Sequence, residues 1–298
     1  TQGVSSAASD VYKRQPANSL LGSDCADAGE RARLGGWLAQ ARRRVDMAMT
    51  QMDAVILSGP SLPDERRTLF EAQHQLRQAR GAVDRVAAKP ADARTVDDVE
   101  HAINSMFMVT DRLHRLGSAQ INVLVATGRE AAIPAIQGQI LMDLREHGGR
   151  LASNVMAPVA VPGAWHVRQV RAAQQTEGRL LELWRLAASH ESVFRSDPEL
   201  SWHWDMARRQ FFAESLPMIE QLIEDGRRGR PPPWSTAEFT ARYVPTLQSL
   251  EALRDGYLSM SIGRFEQARN REATRLAVLW ATALGTLAVL GVALRIAH

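Results

Sequence analysis

Apolar residues recur along this chain at helical spacing almost from end to end. The clearest run is Leu34, Leu38, Ala41, Val45, Ala48, Met52 and Val55, stepping 4, 3, 4, 3, 4, 3, with Trp37 and Met49 widening the stripe. Such a heptad seam suits a helix lying against a neighbour in a bundle. No stretch alternates apolar and polar residues between hairpin turns, so strands are not expected.

Proline, glycine and capping residues divide the helical pattern. Gly59-Pro60 and Pro63 end the first long helix, and Lys89-Pro90 end a second that starts near Asp64. Thr95-Val96-Asp97-Asp98 reads as a capping box opening a helix toward Ala126. Gly128 and Pro134 lead to a helix over about 135–156, closed by Pro158 and Pro162, and another follows over about 164–190. Ser196-Asp197-Pro198-Glu199 begins a helix that runs to Gly226, before the Pro231-Pro232-Pro233 linker. Ser235-Thr236-Ala237-Glu238 is a second capping box, and the helix it opens bends near Pro245 and meets no further stop. Long helices with short connections make bundles. The fold class expected is all-α, a long-helix bundle arranged as two stacked four-helix bundles over 16–127 and 128–275, with a C-terminal transmembrane helix.

That last helix is read from residues 276–294, LAVLWATALGTLAVLGVAL, nineteen residues without a charge between Arg275 and Arg295. At 1.5 Å per residue it spans roughly 28 Å, the thickness of a bilayer's hydrocarbon core. Backbone polar groups in lipid pair only within a helix. A continuous helix from bundle to bilayer would carry a shift from one to the other. At the other end, residues 1–15 are polar and without period, and are set aside as an artefact or a disordered leader.

Composition narrows the functional classes. Hydrophobic residues make up 45% of the chain, which excludes wholesale disorder. The net charge is +3, carried almost wholly by arginine, with lysine only at Lys13 and Lys89. The arginines alternate with Asp and Glu along helices, a solvated-face pattern, so no nucleic-acid partner is expected. The single cysteine, Cys25, makes neither an internal disulfide nor a metal set, and reads as a small buried apolar side chain. No HExxH, P-loop, GxSxG or GxGxxG pattern stands in a fitting context, so no catalytic residue, metal or cofactor is expected. Trp202-His203-Trp204 reads as a packed histidine between aromatics.

Three segments set an arginine beside small residues in an amphipathic turn. They are Arg14 through Gly22 (RQPANSLLG), Leu144 through Ser153 (LREHGGRLAS) and Glu177 through Trp184 (EGRLLELW). An arginine at a packing seam needs a carboxylate or a bound anion as partner. Arg145 and Arg150 are five residues apart, about 500° around a helix, so only one of them is expected to point inward.

These segments carry a resemblance. RQPANSLLG resembles the ERGPANALLG motif near the start of the sensor regions of proteobacterial membrane receptors, with Gln15 where that motif has Gly. LREHGGRLAS is similar to their LREYAGRLGS motif, EGRLLELW to GRIxQLW, and Leu253-Arg254-Asp255 to a further LRD element. The set covers about residues 14–295. The layout is also similar to the all-helical nitrate- and nitrite-sensing (NIT-like) type of sensor. The resemblance implies a periplasmic helical sensor between two inner-membrane helices, acting as a homodimer and feeding a diguanylate cyclase (GGDEF) or histidine kinase module that this fragment lacks. It implies a ligand pocket, perhaps best filled by a small anion, at Arg14, Asn18, Arg145, Arg150 and Arg179. The alternative reading is a tail-anchored helical scaffold that recruits partners at a membrane. On either reading the chain is not itself an enzyme.

Overall fold

The computed structural model describes residues 17, 20–21, 28–58, 63–127, 129–161 and 165–297, with side chains described no further than Thr274. Arg14, Asn18, Cys25 and the segment 1–15 lie outside the described residues. Among those described the chain is all-helical, with no strand. In chain order the helices are α1 (Ala28–Ser58), α2 (Pro63–Ala88), a 3₁₀ turn (Ala91–Ala93), α3 (Val96–Thr127), α4 (Arg129–Ala160) and α5 (Val167–Ala188). There follow α6 (Glu191–Arg195), α7 (Pro198–Met206), a π-helical stretch (Ala207–Ser215), α8 (Leu216–Arg227) and α9 (Thr236–Ala297). The chain divides into two compact units between Gly256 and Tyr257.

Helix starts follow the expected caps. Thr95 Oγ1 accepts from the Asp98 amide at 3.2 Å, and Asp98 Oδ2 accepts from the Thr95 amide at 3.1 Å. Ser235 and Glu238 repeat that exchange at 3.3 and 2.9 Å. Asp197 Oδ1 accepts from the Leu200 amide at 3.0 Å, with Pro198 in the first turn. Each cap satisfies donors the helix itself leaves unpaired, and each contributes about 1 kcal/mol. Prolines were a poorer guide to helix ends. α4 begins at Arg129 and runs to Ala160, with Pro134 and Pro158 inside it. Near a terminus a proline removes a single ladder bond, and the Val161 amide still reaches the Ala157 carbonyl at 3.0 Å.

In α1, Leu34, Ala41, Val45, Ala48, Met49 and Met52 are buried, but the seam leaves the heptad at its end. Ile56 is buried while Val55 and Trp37 are exposed, contrary to expectation. A straight helix drifts about 20° per heptad from a 3.5-residue repeat, so after three heptads the next residue faces inward. This seam packs with Leu69, Ala72 and Ala79 of α2 and Val109, Leu113 and Leu116 of α3 into one apolar core. The paired residues Arg42–Asp84 (2.7 Å) and Arg80–Asp46 (2.9 Å) flank α1 and α2.

The helices from α4 onward build a second apolar region around aromatic rings. Trp204 stacks on Trp184 at 4.1 Å and on Phe194 at 4.5 Å, and Trp184 stacks on Phe212 at 4.3 Å. Phe239, Tyr243, Leu247, Leu250 and Leu253 form the buried stripe of α9. The π-helical stretch was not foreseen from sequence. It precedes Pro217, whose ring would clash with the carbonyl four residues back in an unbroken α-helix. At the join the Leu216 amide bonds to the Phe211 carbonyl, five residues back, so the wider turn absorbs the proline without breaking the rod.

Gly226, expected as a helix stop, serves packing as well. A β-carbon there would lie 2.3 Å from the Trp165 indole. Gly226→Ala is expected to lower stability by about 1–3 kcal/mol through overpacking. Chemical denaturation of the purified chain checks this, and an unchanged midpoint would show that Trp165 does not rest on this helix.

Candidate functional site

Helix α3 is two-faced. Val99, Ala102, Ile103, Val109, Leu113 and Leu116 are its buried apolar positions. Its other side carries Asp111, His114, Arg115, Ser118, Ala119 and Asn122, spaced so that they fall along one face. With Arg150 of α4 and Arg179 of α5 these residues line an open cavity of about 550 Å³.

Arg150 is committed at the cavity wall. Its Nε donates to Glu146 Oε1 at 2.7 Å, its Nη2 is bonded to Asp111, and its guanidinium lies 4.9 Å from the Phe107 ring centre. Burial alone would lower its pKa, but Glu146 and Asp111 outweigh that and the net direction is up. Arg115 and Arg179 form no ion pair or hydrogen bond among the described residues, and both are exposed. Neither Glu177 nor Glu182 takes up Arg179; Glu182 pairs with Arg185 at 2.6 Å instead.

Arg145 is not among the residues that line the cavity. It is 1% exposed, and its Nε and Nη2 both donate to Glu251 Oε1 of α9, at 2.9 and 2.5 Å. The 500° separation from Arg150 thus sends the two arginines to different neighbours. The glycines between them make room for this. A β-carbon on Gly148 would lie 3.0 to 3.2 Å from Leu247, Leu250 and Phe211, and one on Gly149 would lie 3.1 Å from Arg145 Nη1. Tyr243 of α9 donates its hydroxyl to the Gly148 carbonyl at 2.7 Å, and burial pushes its phenol pKa up. One turn and a half of α4 therefore faces α9 through Arg145 and Gly148 and the cavity through Arg150.

A polar network backs the cavity. His114 Nε2 lies 3.0 Å from Asp143 Oδ1, and Gln139 Nε2 donates to Ser118 Oγ at 2.8 Å. Burial raises the Asp143 carboxyl from 3.8 to about 6, with Glu146 adding to the rise and His114, Gln139 and Arg150 opposing it. His147 donates Nδ1–H to the Asp143 carbonyl at 2.9 Å, and burial pushes its pKa down.

Arg94, which sequence reading passed over, organises the segment that holds Leu20 and Leu21. It is 6% exposed and donates to the carbonyls of Leu20 (3.2 Å), Leu21 (3.0 Å) and Lys89 (3.2 Å). Arg115 was also missed, although its helical spacing from Asp111, Ser118 and Asn122 was a readable signal. Among the described residues no cluster of His, Cys, Asp or Glu could hold a metal ion. His203 packs edge-on to Trp202 at 5.1 Å, while Trp204 lies in the ring stack. Compared with known family models, curated proteins and solved structures, the chain matches none.

A carboxyl whose folded pKa is raised favours the fold while protonated, and that contribution is lost as pH climbs from 3.8 through about 6. Relative to the native chain, Asp143→Asn should therefore gain about 1–3 kcal/mol between pH 4 and pH 7 and then level off. Paired denaturation curves across that range check the sign. A difference that stays flat with pH would show that Asp143 is not desolvated.

Proposed function

We propose that this chain is the ligand-sensing region of a bacterial transmembrane receptor. Its helices form two stacked bundles divided near 128–134 on the periplasmic side of the inner membrane, and residues 276–294 cross the bilayer. The observation that carries the sensing part is the convergence of Arg115, Arg150 and Arg179, from three helices, on one open cavity. A cleft with convergent cationic donors is a binding site for an anion.

The path from that site is short. Arg150 stands in the cavity wall, and Arg145 and Gly148 on the same helix are tied to Glu251 and Tyr243 of α9. α9 is the helix that contains 276–294. A ligand that redistributes Arg150 between Asp111 and Glu146 would act on α4, and through α4 on α9. The output module, a diguanylate cyclase or histidine kinase in the receptors this chain resembles, would read that displacement in a homodimer.

Among the described residues no helix is long and apolar enough to cross a membrane. Residues 276–294 fall in the part of α9 whose side chains lie outside the described residues, so the span rests on their sequence. In membranes from cells carrying the chain in its own gene context, alkaline carbonate should leave it in the pellet. Protease added to the periplasmic face should digest the bundle. Carbonate release, or full protection of the bundle, would overturn the receptor reading and favour a peripheral or cytoplasm-facing protein.

A further inference from the structure

We infer that the cavity between α3, α4 and α5 takes a small organic dianion, one acidic group on Arg115 and the other on Arg179. This rests on the reading of the cavity as a ligand site, and it says which anions fit.

Charge sets the first limit. Of the three guanidiniums that line the cavity, Arg150 is already engaged by Asp111 and Glu146. Arg115 and Arg179 face it from α3 and α5 without a carboxylate of their own. Two uncompensated guanidiniums on opposite walls call for two acidic groups, each held by charge-assisted bonds to a planar fork. A single small anion would neutralise one and leave the other.

Volume sets the second limit. About 550 Å³ is within the range of clefts that hold organic ligands, roughly 300–1,000 Å³. A water takes about 30 Å³, and an inorganic anion of a few heavy atoms would leave most of this space to solvent. Neutral groups line the interval between the arginines. Ser118 accepts from Gln139 and keeps its own hydroxyl proton to donate, Asn122 offers an amide, and Ala119 offers apolar surface. These suit the carbon frame of a hydroxylated or unsubstituted diacid, or of a phosphate ester.

Calorimetry on the full chain in detergent micelles tests this with four probes: succinate, glycerol 3-phosphate, acetate and nitrate. Succinate or glycerol 3-phosphate should bind at least about tenfold tighter than acetate and nitrate, since a second charge-assisted contact contributes more than about 1.4 kcal/mol. The preference between the two dianions tells a dicarboxylate site from a phosphate-ester site. Arg115→Gln and Arg179→Gln should each weaken the dianion about 10- to 100-fold, with unchanged melting because neither guanidinium is paired. Arg179→Lys should recover part of the loss, retaining charge without the fork.

Acetate or nitrate binding as tightly as the dianions, with the same dependence on the arginines, would overturn the dianion class and leave the anion sensor standing. Dianion binding indifferent to both substitutions would overturn the site. No heat from any probe, with the helical fold intact, would overturn the anion-sensing reading itself.

Discussion

A guanidinium cannot shed its proton to escape burial, so the fold must carry its counter-charge to it. Arg145 is among the largest fully enclosed side chains here, and Glu251 of α9 is its partner. Removing one member of such a pair costs about 3–5 kcal/mol, because the other is left charged and dry. The contact also demands that two long helices approach closely, and Gly148 and Gly149 remove the β-carbons that would hold them apart. Tyr243 then bonds to the carbonyl that this approach uncovers. The register between α4 and α9 follows from these few groups, and the orientation of Arg150 toward α3 follows from the register.

Much of this architecture was legible in the sequence because it rests on local chemistry. The capping residues Thr95, Asp197 and Ser235 each act within four residues of themselves, and each starts a helix where expected. Prolines were less informative: Pro158 did not end its helix, and Pro217 changed the helix type rather than its extent. The heptad of α1 held for its first three repeats and failed at Val55, where accumulated rotation brought Ile56 inward. Pattern reading treats the repeat as fixed, whereas the backbone turns at its own pitch.

The site was legible only in part, and for a physical reason. Arg150 and Arg179 could be singled out, but nothing in a linear string says that Arg145 points to a residue 106 positions away. The same holds for Arg94, whose carbonyl partners at Leu20 and Leu21 are more than seventy residues distant. Arg115 was hidden by abundance. In a chain where nearly every cation is arginine, an unpaired one is visible only after the neighbours have been placed. Exposed arginines elsewhere, such as Arg185 and Arg195, are taken up by carboxylates one turn away.

The π-helical stretch has a consequence for how the chain tolerates change in length. A π-turn holds about one residue more than an α-turn for the same advance. Deleting one position within 207–215 would let that stretch relax to ordinary pitch, but it would swing everything after it by about 100°. Leu216, Ile219, Leu222 and Ile223, now the inward stripe of α8, would then point elsewhere. The surplus residue is thus a phase setter that lets two apolar stripes, one before Pro217 and one after, meet the same core.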